Sequence, residues 1–328
     1  MGGLRAGQAR LRPGAGAHRA RSRTLALRRG PALTTALTAP ASAWTLAPAD
    51  GAAALGEAEW NCLARRGFHT HHWFRAAEDS GWRARHVIAR EGSRARAVIP
   101  AYLTGADTLH DLHDRWLGPL RGLERLGLGL RPVLSVQSPF SLSSDILGDS
   151  GALPLPALDE AFGLLEEAAW RARAKAVVWP FVDPADDAVL ATARERGYAV
   201  VEAGATARLR IRWASFEEYV ASRSKSVRRT IRADLAGLGA GGMETLSTSD
   251  YRVRAGEMDA LYRRAYRRRN GRDARVASGF FERLARQAAP EIWAQLTSSG
   301  GRIVGTSLNL AAGSVMDGTF AAFAAPAH

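Results

Sequence analysis

Cysteine is almost missing from these 328 residues. Cys62 stands alone, so no internal disulfide can form and nothing points to an oxidising compartment. No Cys/His spacing fits a zinc site. Lysine is equally scarce: Lys175 and Lys225 are the only two, and every other basic side chain is arginine. With alanine and glycine abundant, this reads as a coding-composition bias, so arginine count alone says little about function. Long hydrophobic runs are absent; nothing approaches the ~18 apolar residues of a membrane span. Acidic residues are missing from the first 49 positions, which hold eight of the thirteen excess positive charges. The rest of the chain carries +5, and the nucleic-acid reading that a pI near 11 suggests weakens accordingly.

What is present suits a globular protein: 46% apolar and 23% charged residues, with a length that suggests about two domains. Residues 1–43 are rich in Arg, Gly, Ala, Pro and Thr and show no apolar period. They read as a disordered extension that folding does not need. They lack the apolar core of a secretory signal, and Gly and Pro disfavour the helix of a transit peptide.

Helices are expected over residues 55–80. His69, His71 and His72 cluster there and read as caps or surface groups rather than metal ligands. A hairpin follows, turning at Glu91-Gly92-Ser93. Next, His110, His113, Asp111 and Asp114 could form a metal set, but Leu109, Leu112, Trp116, Leu117 and Leu120 make a packing stripe that explains the segment better. A strand then leads into a serine-rich loop at 138–148. Helix, strand, helix and strand follow to residue 212. The first helix is marked by Leu158, Ala161, Phe162, Leu165 and Ala169 on one face.

Residues 215–238 organise the second half. Ser215 and Glu218 form a capping-box pattern. Ser224 can cap a second helix in which Val227, Ile231, Leu235 and Leu238 recur at spacings of four, four and three, an apolar stripe built to pack. Lys225, Arg228, Arg229 and Arg232 make the opposite face strongly basic. Either that face is solvated, or it meets a phosphate-bearing ligand, for which the planar arginine fork is suited. A short strand, two helices over 256–269 and 278–288, and a three-strand meander with turns at Gly300-Gly301 and Ala312-Gly313 complete the chain.

The stretch "YVASRSKSVRRTIRADL", with the later "LYRRAYRRR", "GGRIVGTSLNL" and "DGTFAAF", resembles FemAB-like acyltransferases, a branch of the GNAT superfamily. The similarity covers residues 59–323. It implies an α/β (α+β) fold of two tandem GNAT-like units with mixed, mostly antiparallel sheets flanked by helices. The first unit spans 44–213 and is degenerate. The second spans 214–328 and is incomplete, because the chain stops short of the family's phosphate loop. The resemblance implies transfer of an acetyl or acyl group from acetyl-CoA or another acyl-CoA to a small-molecule or peptide amine, without metal, in the cytoplasm. Asp317 and Glu257 are the placed candidates for general base, and Lys225, Arg228, Arg229 and Arg232 for phosphate binding. Two alternatives stand beside it. One is an aminoacyl-tRNA-dependent FemAB-type transferase extending a cell-wall peptide, with tRNA its one nucleic-acid partner. The other is a non-catalytic ligand-binding protein.

Overall fold

The computed structural model describes residues 18–26, 44–104, 132–144, 146–148, 153–274, 276–287 and 289–324. The expected histidine-aspartate segment at 110–114 lies outside them. Fourteen strands in these residues form three sheets, mixed but mostly antiparallel.

In the first sheet the order is β10 (Ala199–Arg208), β1 (His18–Ala26), β9 (Val177–Val182), β7 (Val133–Val136), β6 (Ala101–Thr104) and β3 (Arg83–Ala84). Part of the stretch read as a disordered extension is thus an inner strand: His18–Ala26 pairs antiparallel with both β10 and β9. It carries no apolar alternation of its own, and its partners lie more than 150 residues away, so local sequence could not reveal it. Among the described residues only β7 and β9 run parallel, paired at Leu134–Val177 and Ser135–Val178.

A second sheet joins β2 (Trp44–Ala49), β4 (His86–Glu91), β5 (Arg94–Ile99) and β8 (Leu147–Gly148). The expected hairpin is β4–β5, and Gly92 takes a φ of 62° at its turn, a conformation glycine adopts without steric cost. Helix α3 (Leu155–Arg171) presents its stripe to this half's core, where the Phe162 and Trp179 rings stack at 4.5 Å. Helix α4 (Asp187–Glu195) is capped by Asp186.

The third sheet is β11 (Met243–Thr248), β12 (Ile292–Ser299), β13 (Arg302–Ala312) and β14 (Val315–Phe323). Its inner face packs on α7 (Ala255–Asn270), α8 (Phe280–Arg286) and, from the first half, α2 (His71–Glu78), which α1 (Glu57–Leu63) backs. One aromatic core therefore crosses the sequence midpoint, joining Trp60, Trp73 and Phe74 to Phe280, Phe281 and Phe320. Phe320 reaches it through a bulge: it has a φ of 52° where the β13–β14 register shifts, which turns its ring inward.

Between the halves, α5 (Phe216–Ala221) and α6 (Lys225–Ala240) form as the caps predict. Ser215 Oγ accepts from Glu218 N at 3.1 Å and Ser224 Oγ from Val227 N at 3.4 Å. The stripe on α6 behaves differently from expectation. Val227 and Ile231 are only half-buried, while Leu235 and Leu238 are 51% and 40% exposed. Helix periodicity fixed the shape of this element but not its cover: α6 leans on α5 and on the edge strand β11.

Candidate functional site

Two arginine sets can be compared by what their side chains already hold. On α6, Arg228 folds back to donate to the carbonyls of Ala221 and Arg223 at 3.0 and 3.2 Å, closing the C-terminal end of α5. Lys225, Arg229 and Arg232 are exposed. Beside them Arg223 stacks 4.8 Å from the rings of Trp213 and Tyr219. One residue of the basic set is thus committed to backbone, and three face solvent.

On α7 the spacing 263, 264, 267, 268 places four arginines in two adjacent columns of one face. They line an open cleft of about 340 Å³. Two are neutralised. Arg263 holds Asp259 at 2.6 Å and also donates to the Val276 carbonyl, while Arg267 holds Asp273 at 2.6 Å. Arg268 donates to the Phe323 carbonyl at 2.8 Å, a neutral acceptor. Arg264 has no acidic partner among the described residues. The cleft therefore keeps about two uncompensated guanidinium charges, a match in sign and number for one phosphate group.

A second polar cluster lies where the halves meet. Arg66 donates to Asp317 Oδ1 at 3.0 Å, and both side chains are mostly buried. Asp317 Oδ2 is buried without a hydrogen-bond partner. Next to this pair, Gly67 lies directly against Leu310 of β13. Further along, His72 stands between two carboxylates, with Nδ1 at 3.2 Å from Glu291 and Nε2 at 3.4 Å from Glu57. The hydrogen bond to Glu291 raises the His72 pKa. Burial pushes the Glu291 carboxyl up, but its bonds to His72 and to backbone outweigh that, and its pKa lies below the ordinary range. Burial lowers the neighbouring His71. Tyr251 is shifted well upward by burial and by the charge of Glu291.

These shifts set a pH window for stability. A histidine with a raised folded pKa stabilises fully below its ordinary value of 6.5, and the contribution fades as pH rises through the raised value. A carboxylate with a lowered folded pKa stabilises fully above its ordinary 4.5, and loses that as pH falls through the lowered value. The His72–Glu291 pair is therefore strongest between about pH 4.5 and 6.5. Urea midpoints of the native protein should fall between pH 6 and 8 more steeply than those of His72→Gln. Parallel slopes would show that the pair contributes nothing.

The structure does not bring the two candidate bases together. Glu257 is half-exposed at the start of α7 and paired with Arg254, which also reaches the Gly301 carbonyl at the β12–β13 turn. Asp317 lies opposite Leu310, near the other end of β13. Eight strand residues separate those ends, about 27 Å. Sequence reasoning passed over Arg66 and Glu291 and read His72 as a cap or surface group. The hydrogen-bonding partner of His72 Nδ1 comes from a distant segment, Glu291 being 219 positions away.

No helix among the described residues is long and apolar enough to cross a membrane. No curated protein matches the chain. Residues 52–320 match the family model FemAB-like, described as peptidoglycan biosynthesis/recognition, and on that match over most of its length the chain belongs to the FemAB-like family.

Proposed function

We propose that this protein is a FemAB-type transferase that forms an amide on a free amine of a peptidoglycan precursor peptide. The observation that carries the reading is the α7 cleft, within the family match, where Arg264 and Arg268 remain available to an anion. An activated acyl donor brings phosphate with it, whether aminoacyl-tRNA or an acyl-CoA such as acetyl-CoA. The exposed Lys225, Arg229 and Arg232 on α6 add a second basic surface, which favours the longer polyanion and hence aminoacyl-tRNA. Both donors are cytoplasmic, so a cytoplasmic location goes with the proposal. The repeated strand and helix order in the two halves fits tandem GNAT-like units joined near residues 212–215.

In this reaction the amine nitrogen forms a C–N bond to the donor's acyl carbon. The C–O bond to the tRNA ribose, or the C–S bond to CoA, breaks with its electron pair. The ammonium gives up two protons: one passes to solvent as the amine is freed to attack, and the other passes through a base to the leaving oxygen or sulfur. Asp317 is the better of the two candidate bases: Arg66 holds only its Oδ1 and leaves Oδ2 without a hydrogen-bond partner, whereas Arg254 engages both oxygens of Glu257. The test is mass spectrometry of a free-amine stem peptide incubated with the protein and either aminoacyl-tRNA or acetyl-CoA. A new amide with one donor is expected. Arg264→Ala with Arg268→Ala should raise that donor's KM about 10- to 100-fold, as loss of charge-assisted bonds does. No amide with either donor would overturn the reading.

A further inference from the structure

The third sheet has two faces of very different character. The inner face carries Ile292, Ala294, Leu296, Leu308 and Leu310, all buried. Strand alternation places the intervening residues on the outer face. There the register aligns Thr245 with Thr297 and Gly305, then Gln295 with Ser307, then Trp293 with Asn309 and Gly318. Across these three rows no side chain is charged. In a chain with 45 basic and 32 acidic residues, a solvent-facing sheet normally carries some of them.

The chemistry of this face is specific. Trp293 is 43% exposed, leaving an indole in water at one end of the platform. Hydroxyl and amide groups fill the middle, and the exposed Phe323 phenyl, paired with Gly305, closes the other end. Thr245 and Thr297 hydroxyls lie 3.3 Å apart, and Asn309 Nδ2 points to Ser307 Oγ at 3.5 Å, so these groups are oriented by one another. Gly318 interrupts the side-chain rows beside Trp293, while at the other end the Phe323 ring lies over Gly305, 3.2 Å from where a Cβ would stand. From Trp293 to Thr297 the platform is about 13 Å long.

The geometry points to this face as a binding surface for an uncharged glycan. An aromatic ring beside neutral donors and acceptors suits a ligand with apolar C–H faces and many hydroxyls. A phosphate-bearing or acidic ligand would find no counter-charge here, unlike at the α7 cleft. A second copy of the chain, or a protein partner, would have to bury the row of hydroxyls and amides that lies between the Trp293 and Phe323 rings, at a desolvation cost. The choice of a glycan rests on the proposed reading, and names the part of a peptidoglycan precursor that this surface holds while the peptide amine reacts.

The probe is a soluble tetrasaccharide of β-1,4-linked N-acetylglucosamine, titrated calorimetrically against the full chain. Saturable binding is expected. Trp293→Ala should weaken it at least tenfold, and Ser307→Arg should abolish it, with thermal midpoints unchanged because both positions face solvent. No binding, or equal binding by Trp293→Ala, overturns the inference. So does a dimer in sedimentation that Ser307→Arg dissolves while no glycan binds, since the face would then join two copies. The two readings fail separately. Glycan binding without amide formation sinks only the transferase. Amide formation with a native KM in Trp293→Ala, and no glycan binding, sinks only this surface.

Discussion

Trp73→Ala is expected to destabilise the protein by about 3–5 kcal/mol, the range for removing a large buried aromatic ring. Trp73 is fully buried in α2, and its indole N–H donates to the Pro139 carbonyl at 2.8 Å. Its ring lies 5.2 Å from Phe68, 5.6 Å from Phe280 and 6.1 Å from Phe320. Phe68 belongs to the first half and the other two to the second, so truncation opens a cavity between segments that share no local sequence. It also strips the Pro139 carbonyl of its donor, which adds to the cost. The useful control is Ile231→Ala on α6, where a half-buried side chain should cost less than about 1 kcal/mol. Urea denaturation measures both. Similar losses for the two variants would mean that α6 is packed and that the shared aromatic core contributes less than its burial indicates.

That contrast shows what the sequence could and could not convey. Elements held by local rules were legible: the β4–β5 hairpin around Gly92, the α3 stripe through Phe162 and Leu165, and the β12–β14 meander with its glycine turns. Each depends on residues within a few positions of one another. The failures share a cause. Strand β1 was hidden because the ladder partners that order it lie far along the chain. The α6 stripe was read as packed because amphipathicity reports a helix with a preferred side, not a neighbour that covers it. The polar junction was invisible for the same reason: Arg66 meets Asp317 across 251 positions. For the α7 arginines the outward face was legible. Which of them keep a free charge was not, since that turns on Asp259, Asp273 and the Phe323 carbonyl.

Gly67→Ala should cost about 3 kcal/mol, the upper part of the range for forcing atoms into a packed interior. A Cβ built at Gly67 would lie 2.1 Å from Leu310 Cβ, 2.6 Å from its carbonyl carbon and 2.7 Å from its carbonyl oxygen. Two of those three atoms are backbone of β13, so a rotamer change cannot relieve the clash. The short 3-10 turn Gly67–His69 would have to lift off the sheet. Its neighbour Arg66 would move with it, loosening the hold on Asp317. Leu310→Ala supplies the discriminating comparison. It keeps both Cβ and backbone, so the double variant should be no more stable than Gly67→Ala alone, and the loss of the Leu310 side chain should add to the damage. If Leu310→Ala instead restores stability in thermal melts, the crowding comes from the far end of the leucine and the close approach of turn to strand is wrong. Transfer assays on the single variant connect this contact to the chemistry. Should Asp317 be the base, kcat falls in Gly67→Ala under conditions where it stays folded, with the donor's KM near native because the α7 cleft is untouched.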